Sequence, residues 1–470
     1  MNDSTPTLVR GRRVVTPAGV RPAEVHVLNG RIESVGPAAS GAPPDGARVY
    51  DAGDALVLPG FVDTHVHVNE PGRTAWEGFA TATDAAAAGG VTTIVDMPLN
   101  CSPVTCSVPA LDAKREAAAR KLRVDVGFWG GVVPGNRDDL APLAAAGVLG
   151  FKCFLVDSGL DEFPPVGEAE LRPAMRELAR LGLPLLAHAE APGPIAAARG
   201  RPGVPSVSAA YADWLASRPP EAEVEAVRLL VRLAGETGCA VHVVHVSAHQ
   251  CLPVIAAAKE AGLPVTAETC PHYLTFAAEE VPAGGTLFKC APPIREASNR
   301  ERLWEGLETG ALDLVASDHS PCPPAARAPG TGDFFAAWGG IAALQLGPSA
   351  VWTWARRRGI GPERLAEWMS AAPARLAGLE DRKGRIAAGF DADLVVLDPD
   401  AEFVVQAGRL YGRHCQTPYE GRSLRGAVRR TWSRGRLVFA DGEPTGDRCG
   451  QPLVPTGAGP AGDARESFEP

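Results

Sequence analysis

No run of 18 consecutive apolar residues occurs in this 470-residue chain, so the sequence predicts no membrane-spanning helix. The N-terminus, Met1-Asn2-Asp3-Ser4-Thr5-Pro6, has no basic start followed by an apolar stretch; no export signal is read there and a cytoplasmic chain is expected. Clustered positive charge is also missing. The longest like-charged cluster is Arg356 to Arg358 and the net charge is −9, which leaves no electrostatic footprint for nucleic acid. The 10 cysteines form no CxxC pair, which excludes zinc-finger spacing, and they are too sparse for a disulfide scaffold; they are expected to be reduced and mostly buried. What is there is 45% apolar and 21% charged residue, an ordinary globular composition with ample length for a large core.

The two ends of the chain differ from its middle. Thr7 to Val15, Glu24 to Val35 and Ala47 to Leu58 are short alternating runs punctuated by Pro17-Ala18-Gly19, Asn29-Gly30 and Gly41 to Gly46, and they read as strands joined by turns. The same texture returns at Ala392 to Leu397, Glu402 to Val405 and Thr431 to Phe439. Between about Pro59 and Gly378 the pattern changes to short apolar runs, each followed by a longer Ala- and Leu-rich stretch. The runs are Thr92 to Met97, Val124 to Trp129, Gly150 to Leu155, Pro184 to His188, Ala240 to Val246, Pro264 to Glu268 and Asp313 to Ala316, all of a length suited to buried parallel strands. Helices are predicted between them, for example over Glu168 to Leu181, Glu221 to Glu236 and Cys251 to Ala261. Neither GxGxxG nor GxxxxGK followed by Ser or Thr comes after any of these strands, so a closed (β/α) barrel is favoured over an open doubly wound sheet. Gln451 to Pro470 has little to bury and is expected to be a mobile tail.

Phe61-Val62-Asp63-Thr64-His65-Val66-His67 carries the sharpest chemistry. Residues two apart on a strand share a face, so His65 and His67 present two imidazoles side by side, half of a metal site. Other candidates fall where predicted strands run out: His188 after Leu185 to Ala187, His245 near the end of Val241 to Val246, and Asp318 after Val315 to Ser317. Strand C-termini are where barrel enzymes keep their reactive groups. His242 lies three residues from His245 and is expected on the opposite face, while His249 lies beyond the strand; His245 is preferred. His272 and His319 are expected beside the ligands, and His26 and His414 outside the barrel. Cys153, Cys270, Cys290 and Cys322 lie near the ligands without an assigned base, and read as packing residues.

Lys152 is the sole charge in Val148 to Leu155. An ammonium cannot ligate a metal and is costly to bury, so it either reaches the strand end or pairs with a carboxylate. A neutral amine offers a third possibility: it takes up CO2 as a carbamate, an anion able to bridge two cations. Counting βα units of roughly 25 to 40 residues from His67 places the candidates on strands 1, 4, 5, 6 and 8.

These residues stand within a longer series of motifs: Asp63 to Arg73, Trp76-Glu77-Gly78-Phe79, Ala87 to Thr93, Asp96-Met97-Pro98-Leu99-Asn100, Gly150-Phe151-Lys152, Glu268-Thr269-Cys270-Pro271-His272-Tyr273, Lys289 to Arg295 and Ser317 to Cys322. Together they identify the chain as resembling the cyclic-amidohydrolase branch of the amidohydrolase superfamily over nearly its whole length. The resemblance implies a (β/α)8 barrel over 59–378 with a small β-sandwich built from 1–58 and 379–450. It implies that His65, His67, Asp318 and carbamylated Lys152 hold one divalent metal and that Lys152, His188 and His245 hold a second, with a hydroxide between them. Zinc is the default metal, with Fe, Mn or Co compatible. Asp318 is expected to carry the catalytic proton; its alternative is a helix cap before Ser320-Pro321. A homotetramer or homodimer acting on a small cyclic amide, with no nucleic acid or membrane partner, is expected from the same resemblance.

Within the branch, Asn69 stands where dihydroorotases place an arginine for the substrate carboxylate, and no Tyr occurs between Phe154 and Phe163, where hydantoinases usually carry one. Asn69 to Arg73 with Met97 to Asn100 resembles the allantoinase family, which makes allantoin the expected substrate and Asn69 and Asn100 candidate contacts to it. The contact at Ala291, where relatives often have serine, stays open. Hydantoinase, dihydropyrimidinase or dihydroorotase activity are the alternatives, and a non-catalytic homologue is a remote one because no ligand position is lost.

Overall fold

The computed structural model describes residues 5–37, 46–201 and 203–455. Eight parallel barrel strands follow one another along the chain: β1 (Phe61–Val66), β2 (Val91–Asp96), β3 (Asp125–Phe128), β4 (Phe151–Phe154), β5 (Leu185–His188), β6 (Val241–Val243), β7 (Val265–Thr269) and β8 (Leu314–Val315). They run in two ladders, β1 to β3 and β4 to β8, and almost every residue in them is buried, as expected of parallel strands covered on both faces. Two seams close the ring. At one, the Leu149 N–H donates to the Phe128 carbonyl at 3.0 Å and Gly130 to Gly150 at 2.9 Å. At the other, His67 donates to the His319 carbonyl at 2.8 Å, and the Asp63 carboxylate accepts the backbone N–H groups of both His65 and Ser317 at 3.1 Å.

The predicted helices form the outer layer. Glu168–Leu181 buries Leu171, Ala174, Met175 and Leu178, one stripe at helical spacing, and stops at Gly182, whose φ of 69° suits glycine. Pro220–Thr237 starts with Pro220 in its first turn and stops at Gly238 in the same way. Inside the barrel Val95, Met97, Trp129, Leu149, Leu186 and Val244 pack as one cluster; truncating a leucine there to alanine would cost about 2–5 kcal/mol.

The chain ends build a second domain around one nine-stranded sheet. Leu56–Pro59, just before the barrel, pairs antiparallel with Leu394–Val404, just after it, so the domain closes only when both ends meet. Its separate core includes Val9, Val25, Ile32, Val57, Val396 and Trp432. The run expected over Glu24 to Val35 is two strands, Gly19–Leu28 and Arg31–Gly36, turned at Asn29-Gly30 with φ of 51° and 79°. Conversely, Ala392 to Leu397 and Glu402 to Val405 belong to one long strand, Leu394–Val404.

The mobile tail expected from Gln451 lies beyond 455 outside the described residues, and its start needs correction. Val126 donates to the Gln451 carbonyl at 2.9 Å and accepts from Leu453 at 2.8 Å, and Leu453 is buried. The physical reason is the β3–β4 seam: it leaves the Val126 N–H and carbonyl without a ladder partner, and 451–453 supplies one.

Candidate metal centre

His67, His65, His245 and His188 form a chain of ring contacts with centroids 5.6, 5.3 and 4.6 Å apart. The Asp318 Oδ1 atom lies 3.2 Å from His65 Nε2 and 3.5 Å from His67 Nε2, and these three residues offer donor atoms within 4.8 Å of one another. Lys152, on β4, is 1% exposed; its Nζ has no hydrogen-bond partner among the described residues and stands 5.1 Å from the Phe154 ring centre. His188 stacks on the same ring at 4.4 Å. All six ligand candidates thus gather at the C-terminal ends of β1, β4, β5, β6 and β8. Both His245 and Asp318 lie just past a strand in the left-handed region, with φ of 42° and 45°, backbone strain of the kind that persists where the surrounding structure enforces it.

The electrostatics suit cations. Burial lowers the Lys152 amine to about 8, against the opposing pull of Glu268 and Asp318, so the neutral amine is far more accessible than in an exposed lysine. Burial, then the neighbouring His188 and Lys152, holds His245 neutral, and burial lowers His188 as well. Burial would raise the Asp318 carboxyl, but His65 and His67 keep it below the usual carboxylate range and ionised. Imidazoles, a carboxylate and an unpartnered amine are a donor set for divalent metal ions, and the His245 Nδ1 atom is likewise buried without a partner among the described residues.

Above the cluster opens a cavity of about 580 Å³, lined among others by Asn100, Trp214, Lys289, Ala291 and Phe335. That is the size of a small-molecule site. Asn100 also places its amide 3.3 Å from His67 Nδ1. Asn69 is not among the lining residues: it is buried and donates to the Pro321 carbonyl at 3.2 Å.

Three carboxyl-bearing positions escaped the sequence reading. Glu268 of β7 lies 2.5 Å from His65 Nδ1 and 3.0 Å from His242 Nε2. Glu190 lies 2.7 Å from His188 Nε2 and pairs with Arg218. Burial works to raise each, but the neighbouring His65 for Glu268 and Arg218 for Glu190 bring both down to about 2. Asp63, despite three hydrogen bonds, is pushed up by burial to about 6. For Glu268 and Asp63 the available signal was a carboxylate inside a buried strand, whereas Glu190 lies two residues beyond β5. The placement of His242 on the opposite face is corrected: it shares Glu268 with His65, because His245 lies beyond the regular strand, where alternation no longer applies.

His319 turns its ring to Glu77 at 3.3 Å and accepts from the Ala343 and Leu344 N–H groups. His272 is buried, with no partner for either ring nitrogen among the described residues. His249 bonds Asn299, while His26 and His414 lie away from the cluster. All ten cysteines are free, and burial pushes the Cys153 and Cys290 thiols up to about 12, so neither is a ready nucleophile.

This barrel with its gathered imidazoles and small end-built domain is the architecture of a hydrolase class, and residues 56–438 match the amidohydrolase family, to which the chain belongs. The chain is 52% identical to an allantoinase of Streptomyces avermitilis, covering 93% of this chain and 96% of that one, and 42% identical to an allantoinase of Arabidopsis thaliana, covering 94% and 90%. An L-hydantoinase (dihydropyrimidinase) structure from Arthrobacter aurescens superimposes with a TM-score of 0.90 at 32% identity, covering 95% of this chain and 99% of that one.

Proposed function

We propose that this chain is an allantoinase: it opens the hydantoin ring of allantoin at its amide, giving allantoate, in allantoin catabolism. The observation that carries the reading is the gathering of His65, His67, His188, His245 and Asp318 around one cavity, with the unpartnered Lys152 against Phe154 of its wall, in a chain 52% identical to an allantoinase.

His65, His67 and Asp318 would hold one divalent ion and His188 and His245 a second, with Lys152 joining them as its carbamate. Bound there, the ions would make a shared water acidic and polarise the substrate carbonyl. Zinc is the metal this donor set suits by default. Asp318, ionised beside His65 and His67, takes the proton of the attacking water and returns it to the leaving ring nitrogen, so the amide bond breaks without a covalent enzyme intermediate. Asn100, on the cavity wall, is the better placed of the two asparagines to touch the substrate.

A reducing cytoplasmic setting accords with ten free cysteines, and no helix of the described residues is long and apolar enough to cross a membrane. Assembly as a homodimer or homotetramer rests on the family resemblance. Purified protein supplied with metal and bicarbonate should turn over allantoin in preference to hydantoin, dihydrouracil and dihydroorotate. Preferential opening of any of the last three would overturn the substrate.

A further inference from the structure

Strand β7 supplies none of the six ligand candidates, yet its Glu268 touches both halves of the cluster. Its Oε1 atom lies 2.5 Å from His65 Nδ1 and accepts the His245 backbone N–H at 3.3 Å, while Oε2 lies 3.0 Å from His242 Nε2. All four residues are buried. We propose that Glu268 is a positioning residue for the whole centre: its carboxylate selects Nε2 of His65 as the metal-facing atom and holds the left-handed backbone from which His245 projects.

The reasoning is one of donors and acceptors, and it rests on the metal reading given above. A ligating imidazole nitrogen carries no proton, so the other nitrogen must carry it and needs an acceptor. For His65 that acceptor is Glu268, since Nε2 faces Asp318. His242 has Nδ1 at 2.8 Å from the Thr266 hydroxyl, a possible donor, which leaves its Nε2–H for Glu268. An ionised carboxylate accepts all three N–H groups at once. A glutamine at this position has one acceptor oxygen and an NH2 group, so one imidazole N–H would face a donor, or the His65 ring would turn and withdraw Nε2.

The test compares zinc binding by wild type and Glu268→Gln, using competition with a chromophoric chelator, together with the visible spectra of the cobalt-substituted forms. A 10- to 100-fold weaker affinity is expected, the usual scale for losing such a support, along with an altered cobalt band. Equal zinc affinity with an unchanged cobalt spectrum would overturn the proposal, whatever the stability of the variant. Should the variant not fold, zinc-loaded wild type labelled with 15N-histidine decides: an exchange-protected proton on His65 Nδ1 is expected, and its location on Nε2 would overturn the assignment. Wild type that binds no zinc or cobalt at all would instead overturn the metal reading itself, a result distinct from variants that match the wild type.

Discussion

The Phe154 ring carries the Lys152 amine 5.1 Å from its centre, and the same ring stacks against His188 at 4.4 Å. An aromatic face offers an amine little in place of the hydrogen bonds it leaves in water, and Lys152 Nζ has no other partner among the described residues. That arrangement accounts for the depressed basicity of the amine and supports the proposed carbamate.

Lys152→Ala should therefore abolish ring opening, with partial recovery on adding a short carboxylic acid that can occupy the space. The metal-free protein should take up CO2 at a lower pH than an exposed lysine does, because the folded amine loses its proton at about 8 rather than at its ordinary 10.5. Uptake of labelled CO2 at fixed dissolved gas, followed against pH, checks this; uptake beginning only above pH 10 would contradict it.

Asp318→Asn keeps an oxygen donor but removes the proton acceptor. A loss in kcat of roughly a hundredfold to ten-thousandfold is expected, with KM changed far less. Steady-state kinetics alongside metal analysis separates the two roles of this side chain.

Glu190 ties His188 to Arg218. Its folded pKa, about 2, lies below the ordinary 4.5, so the stability it contributes is complete above about pH 4.5 and is lost as the pH falls through 2. Glu190→Gln should lower the melting temperature at pH 6 and flatten its dependence on pH over that acid window, as read by thermal unfolding at a series of pH values.

Lys383 is enclosed by three carboxylates, with Nζ at 2.7 Å from Asp125, 2.7 Å from Asp393 and 3.1 Å from Asp391. Asp125 belongs to the barrel, while Asp391 and Asp393 lead into the end-built sheet, so the cluster fixes the junction. Lys383→Met would strand buried negative charge and cost about 3–5 kcal/mol, visible as a lower midpoint in denaturant with no change in the metal site.

Much of this was legible in the sequence because its signals are local. His65 and His67 share a face by simple alternation, and Glu168–Leu181 reads as a helix from its own stripe. The strand positions of Lys152, His188 and Asp318 follow from the repeat of βα units. Glu268, Glu190 and Lys383 were not legible, since their partners lie on other strands and only closure of the barrel brings them within reach. His242 was misplaced for a related reason: alternation holds for regular strand, and the chain leaves it at Val243. Residues 451–453 look dispensable until the unpaired edge at Val126 is seen.

The most direct measurement is a crystal structure of protein grown with zinc and bicarbonate, with diffraction collected across the zinc absorption edge. Two anomalous peaks are expected, one beside His65, His67 and Asp318 and one beside His188 and His245, with added density on Lys152 Nζ between them. A bare lysine and no anomalous peak at these side chains would contradict the metal-dependent hydrolase.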